Sequence, residues 1–188
     1  MEAGNIGDVI CIRPVGAVDH TILHWLKKEM GESLMATVRI LPSIPVPPES
    51  FEARRNQYYS TKILKVMLGD VPQDALKLLG VTAMDLCIPI LTYVFGEAQV
   101  GGTAAVVSLA RLRQEHYGLM PDRPLLLERL RKECLHELGH TFGLVHCPSR
   151  DCVMYLSNTV VDVDTRGRDF CRGCQTFVAS NSKGERRG

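Results

Sequence analysis

At 188 residues the chain is long enough for one well-packed domain and too short for two ordinary ones. Its 45% hydrophobic and 23% charged residues are those of a soluble globular protein, not of a disordered or fibrous one. A net charge of +1 removes any bulk electrostatic case for nucleic acid or an anionic membrane as partner.

The N-terminal stretch from Met1 to Asn5 lacks the basic start and apolar core of a signal peptide, so a cytoplasmic protein is expected. Asp8 to Arg13 is a β-branched run and reads as a buried first strand. Ala17 to Met30 reads as a helix with Val18, Ile22, Trp25, Leu26 and Met30 as its apolar stripe and Gly31 as its end. His20 and His24 are four apart on that helix, but no acid follows His20, and they are read as boundary histidines. Met35 to Leu41 is the second strand, reached by a βαβ crossover.

The proline-dense run from Pro42 to Pro48 fits neither a central strand nor a helix interior and is read as an extended surface connection. Arg54 to Tyr59 is given a packing role. Ser60 is placed as the cap of a helix through Leu68, with Lys62, Lys65 and Asp70 outward, and Asp74 to Leu79 as a further short helix ended by Gly80. Met84 to Phe95 is the strongest strand signal, with Cys87 as a small buried hydrophobe. Its apolar part is broken by Pro89 and far too short to cross a bilayer. Gly96 to Gly102 is read as a turn region and Thr103 to Ala110 as a strand.

His116 has no partner spacing and is expected to face solvent. Asp122 should cap a long helix reaching Phe142, with Pro124 tolerated in its first turn. Leu127, Leu130, Cys134 and Leu138 line one side of it, Leu135 and Phe142 another, which makes it central. Cys134 lies about 200° around from His136 and falls outside any site built there.

His136 and His140 are four residues apart, about 40° around a helix, so both imidazoles leave one face and suit a metal that takes nitrogen ligands. Glu137 follows the first of them, placed to reach a metal-bound water without being a ligand. Gly143 permits the sharp turn after the helix, and His146 is positioned to fold back as a third ligand. Cys147, Cys152, Cys171 and Cys174 have the spacing of a four-thiolate zinc site, with two disulfides or four free thiols as the other readings. Seven cysteines, an odd number, fit a metal in a reducing compartment better than a disulfide framework.

The run from His136 to His146 with Glu137 and Gly143, followed by Met154 in a Met-turn, resembles the metzincin zinc peptidases. The added Cys147, Cys152, Cys171 and Cys174 make the chain similar to the archaemetzincins in particular. The specific motifs cover residues 136–174. The resemblance implies a zinc metallopeptidase with two zinc ions per chain, one catalytic on His136, His140 and His146 and one structural on the four cysteines. It implies a metzincin-like α/β fold: a mixed twisted sheet with packed helices, a central active-site helix, and a small irregular C-terminal zinc subdomain. Residues 1–143 would form the N-terminal part and 144–188 the C-terminal part of a single compact domain. Within the family the strand before the active-site helix is an edge strand that pairs with extended substrate, a role implied here for Thr103 to Ala110, although the sequence alone equally allows an interior strand.

Glu137 is expected to take a proton from metal-bound water and pass it to the leaving amine. Met154 should form an apolar floor beneath the histidines. Tyr155 is a candidate donor to the oxyanion, although the family often places its tyrosine two residues after the methionine. Because His146 and Cys147 are adjacent, the thiolate site should support the third imidazole. Arg150, Arg166, Arg168 and Arg172 are read as charge compensation for the thiolates. The partner is a peptide or protein substrate, cleaved as an aminopeptidase or narrow endopeptidase by a monomer with no nucleic-acid or membrane partner. The rival readings are a zinc-stabilised peptide-binding module without turnover and, less favoured by the charge, a nucleic-acid-binding zinc ribbon.

Overall fold

The first apolar run forms β1 (Val9–Val15), which is buried along nearly its whole length and therefore needs a strand on each side. The structure, a computed structural model, describes residues 9–184, residues 182–184 by backbone alone. The signal-peptide reading and Asp8 of the first expected strand lie outside the described residues. After β1, Asp19 caps α1 (His20–Leu34) by accepting from the Thr21 amide at 2.8 Å. The helix passes Gly31, its expected terminator, because the apolar stripe continues to the half-buried Leu34; Met35, left-handed at φ 49°, ends it instead. The chain then returns as β2 (Thr37–Ile40), parallel to β1 as a βαβ crossover requires.

The proline run is the extended connection expected, tied to β1 by a bridge between Val15 and Ile44 and by Arg13, which donates to the Pro42 carbonyl at 3.0 Å. It leads into a short hairpin, β3 (Phe51–Glu52) and β4 (Gln57–Tyr59). Helix α2 (Ser60–Leu68) begins with Ser60 as its first residue, not as its cap. The Ser60 hydroxyl turns inward to the Cys87 carbonyl and the Glu97 carboxylate.

The largest departure from expectation is Asp74 to Leu79. The segment is β5 (Ala75–Thr82), a central strand parallel to β1, and not a helix. Ala, Leu and Lys are helix formers, but here local preference loses to burial on both faces of the sheet. Gly80 lies inside this strand, where a Cβ would sit 2.6 Å from Met67 Sδ.

The apolar run from Met84 to Phe95 is also not one strand. Pro89 and Ile90 break it into a hairpin, β6 (Leu86–Ile88) and β7 (Leu91–Val94), of a second, four-stranded sheet. Part of the expected turn region is β8 (Gly96–Ala98), which pairs antiparallel with β9 (Ala104–Ser108). The main sheet runs β2-β1-β5-β9-β8. The edge expected of Thr103 to Ala110 therefore belongs to β8; β9 is interior, fully buried between β5 and β8.

Helix α3 (Arg123–Thr141) carries the Asp122 cap as expected, its carboxylate accepting from the Leu125 amide at 2.9 Å. Its end is held from beneath by Lys77 of β5, which donates to the Gly102 and Thr141 carbonyls at 2.9 and 3.0 Å. A cation at that point also faces the negative end of the helix dipole. The charged run of α3 is mostly buried, against the usual expectation for such residues. Arg129 forks onto Asp164, and Lys132 donates to the carbonyls of Val163, Asp164 and Arg166. These bonds fasten α4 (Val160–Thr165) to the central helix.

The C-terminal stretch is more regular than expected, ending in α5 (Arg172–Gly184). Leu144, Val153, Met154, Val163 and Val178 join the same apolar core as Ile10, Leu26 and Leu138. Among the described residues no helix is long and apolar enough to cross a membrane.

Candidate metal centres and cleft

The end of α3 builds the first cluster. Gly143, at φ 98°, lets its amide donate to the His140 carbonyl at 2.9 Å and the Leu144 amide to the Gly139 carbonyl at 3.1 Å. Those two bonds are a Schellman turn, and they send the chain back over the helix face that carries the histidines. The Leu144 carbonyl then accepts from His140 Nδ1 at 2.7 Å, and the Val153 carbonyl accepts from His136 Nδ1 at 2.8 Å. A carbonyl only accepts, so each Nδ1 carries the hydrogen and each Nε2 keeps its lone pair. The guanidinium of Arg166 lies 3.3 Å from the same Nδ1 of His136 but, as a donor itself, adds no bond there.

The two Nε2 atoms are 3.1 Å apart, and one donor nitrogen from each of His136, His140 and His146 lies within 4.8 Å of the others. Two nitrogens on a tetrahedral zinc, bound at 2.0–2.1 Å, stand roughly 3.4 Å apart, so the donor set fits the ion. Burial, then the charge of Arg166, holds His136 well below the ordinary histidine range; burial also lowers His140 and His146. All three rings are thus neutral near pH 7, the form that binds metal. His146 differs from the others in being exposed, and among the described residues no hydrogen bond orients its ring.

Glu137 is 7% exposed and lies against Gly96 of β8, where a Cβ would come 2.7 Å from its Cγ. Burial, reinforced by the neighbouring Glu133, pushes its carboxyl well above the usual range. Glu137 and the three histidines line one cleft of about 550 Å³. One wall of it is the run from Leu91 to Gly96 continuing to Ala98, and the other is Leu156 to Asn158 with Arg166. Met154 is fully buried and packs on α3 at Gly139, between the two helical histidines.

The second cluster gathers Cys147, Cys152, Cys171 and Cys174, whose sulfurs lie within 4.8 Å of one another. The Sγ atoms of Cys147 and Cys171 are 4.0 Å apart, about twice a disulfide bond and close to the roughly 3.8 Å of two thiolates on a tetrahedral zinc. All four are free thiols. The backbone amide of Cys174 pulls Cys171 down to about 7, while burial raises Cys152 and Cys174. Cys134 is buried apart from both clusters, its thiol pushed well up by burial. His20, His24 and His116 are exposed and join no cluster among the described residues.

Two expectations fail here. Tyr155 does not line the cleft; Arg150 stacks on its ring at 5.7 Å, and the tyrosine that does line it is Tyr93. Arg166 and Arg168 are not partners of the thiolates. Arg166 pairs with Glu133 at 2.8 Å, and Arg168 pairs with Glu128 and Glu29. Both find carboxylates on packed helices, a closer compensation than a shared thiolate charge. Gly96, Tyr93 and the Glu133–Arg166 pair are site residues that sequence spacing does not reveal, since their partners are distant in the chain.

Residues 32–179 match peptidase family M54. The archaemetzincin of Methanocaldococcus jannaschii is 44% identical over 165 residues, 88% of this chain and 89% of the relative. The crystal structure of archaemetzincin from Methanopyrus kandleri superposes with a TM-score of 0.86 at 34% identity, over 97% of this chain and 99% of that one. That of the archaemetzincin from Archaeoglobus fulgidus complexed with malonate gives 0.79 at 37% identity, over 90% and 99%.

Proposed function

The chain belongs to peptidase family M54, the archaemetzincins, and is a zinc metallopeptidase; from that premise we propose that Glu137 is its general base. His136, His140 and His146 would hold the catalytic zinc, whose Lewis acidity lowers the pKa of water and polarises a carbonyl. Cys147, Cys152, Cys171 and Cys174 would hold a second, structural zinc, closing residues 144–184 onto the helix as a zinc-dependent C-terminal part.

Glu137 accepts a proton from water in the cleft and returns it to the departing amine. Its burial favours the protonated form once the proton has arrived, and Gly96 leaves the carboxylate room against β8. Among the described residues the outer edge of β8 is unpaired and runs along the cleft, so an extended peptide can add to it as a further strand. The observation that carries this reading is three neutral imidazoles and one buried carboxylate facing a single cleft.

The test is Glu137→Gln against a quenched peptide library, with zinc content measured in both proteins. Turnover should fall by about 10²–10⁴-fold at unchanged zinc content. Equal turnover by both proteins would remove Glu137 as the base, and no product above background from either would leave the peptide-binding module as the better reading.

A further inference from the structure

The two walls of the cleft touch. Tyr93 of β7 donates from its hydroxyl to the Asn158 carbonyl at 2.8 Å, and both residues line the cleft. Neither side is loose. The Tyr93 ring meets Phe95 edge-on at 5.5 Å and lies under Arg111, 4.2 Å from ring centre to guanidinium carbon. Arg111 is itself fixed by a two-pronged pair with Asp85 at 2.6 and 2.8 Å. On the other wall the Asn158 amide donates to Asp162, the residue that closes the capping box of α4.

We propose that the Tyr93–Asn158 bond is a strut that closes the cleft on one side of the reacting bond and confines cleavage to bonds near a chain end. The length limit follows from the wall itself. Gly96 touches Glu137, and Tyr93 precedes Gly96 by three residues, so along the wall the backbone of Tyr93 stands at most roughly 10 Å from that of Gly96. That distance holds about three residues of extended peptide. Beyond them the two walls are joined by the exposed Tyr93–Asn158 bond, which an extended chain lying between the walls would have to break or climb over. On the opposite side of Glu137, toward Ala98 and Val100, the wall is tied to the helix, the Gly101 amide donating to the His140 carbonyl at 2.9 Å, and among the described residues no bond joins it there to the wall of Leu156 to Asn158. This rests on the peptidase reading, and it deepens that reading by naming the substrate as a chain terminus.

The experiment uses one scissile sequence in three peptides. In two it lies two residues from one or the other free end, and in the third it lies at the centre of a long peptide blocked at both ends. The kcat/KM values are measured for the zinc-loaded protein and for Tyr93→Ala. Binding of the same peptides, fluorescently labelled, is measured on Glu137→Gln with and without Tyr93→Ala. One of the end-placed peptides should be preferred over the central one by at least roughly tenfold in both readouts, and Tyr93→Ala should abolish that preference. Tyr93→Phe, which keeps the ring, serves if the alanine variant does not fold; it should reduce the preference.

Central and end-placed peptides bound equally by the unaltered cleft would overturn the strut. So would a Tyr93 variant that lowers kcat on every peptide while leaving the binding preference intact, because that marks a role in the chemical step. A binding preference with no turnover of any peptide supports the strut while removing the peptidase reading.

Discussion

The imidazole cluster and the thiolate cluster are built from neighbouring residues, yet they are opposites in coordination. His146 belongs to one and Cys147 to the other. The imidazoles offer three donors, face a cleft of about 550 Å³ and have a carboxylate beside them. The thiolates offer four donors, and none of the four lines that cleft. Three ligands leave a tetrahedral ion one position for a reactant; four close it. The comparison also shows how the clusters depend on each other. His136 and His140 are each oriented by a backbone carbonyl, whereas among the described residues no hydrogen bond orients the ring of His146, which depends on its own chain segment. That segment is fastened by Cys147, whose amide donates to the Met154 carbonyl at 2.9 Å.

The sharpest way to break the comparison is to remove one donor from each cluster. Cys152→Ala should strip the tenacious zinc and destabilise the fold by about 3–5 kcal/mol or more, because metal binding there is folding energy. His140→Ala should abolish activity while moving the thermal midpoint far less. Equal losses of stability from the two variants, measured by calorimetry, would erase the distinction. The dependence between clusters is tested by Cys174→Ser. In a folded variant zinc affinity at the histidines should fall about 10–100-fold, as when a supporting partner of a ligand is lost. Unchanged affinity in a chelator competition would mean that His146 is positioned without the thiolates.

Two changes touch only the imidazole side. Gly96→Ala places a Cβ within 2.7 Å of Glu137 and 2.8 Å of the Val106 carbonyl. It should cost about 1–3 kcal/mol of stability and lower kcat, with both zincs retained. Retained activity would show that the carboxylate does not need that groove. Lys77→Met leaves the Thr141 and Gly102 carbonyls without their cation and should cost about 1–3 kcal/mol in urea unfolding. No loss would show that α3 ends without help from β5.

The smallest expected effect is a difference in pH dependence between the two sites. The imidazoles are held below the ordinary value of 6.5, so protons compete with zinc there only as the pH falls below that value. Affinity at the histidines should be flat near pH 7. The thiols of Cys152 and Cys174 are raised, so they still carry protons at pH 7, and affinity at the cysteines should go on rising with pH. Parallel profiles in a zinc-buffered titration would contradict the assignment of donors.

The two side-chain clusters were legible in the sequence because histidines and cysteines are few, chemically distinctive and closely spaced along the chain there. So was the helix that carries two of them, from its cap at Asp122 to the turn at Gly143. What stayed hidden depends on partners far away. Asp74 to Leu79 reads as a helix locally and becomes a strand only because β1 and β9 flank it. Thr103 to Ala110 could not reveal that β8 would cover it. The fate of the charged residues of α3 was hidden too: Arg129, Arg131, Lys132 and Glu133 are buried against the segment from Val163 to Asp169. No periodicity reports a partner thirty residues away. Tyr93 and Gly96 gained their places from the break at Pro89, which turned one expected strand into the wall of the cleft.

Metal analysis under graded chelation bears most directly on the difference between the two clusters. The purified protein should contain two zinc ions per chain, and mild chelation should remove one, with the activity, while the fold persists. A single zinc, or two that leave together as the protein unfolds, would contradict an open three-ligand site standing beside a closed four-ligand one.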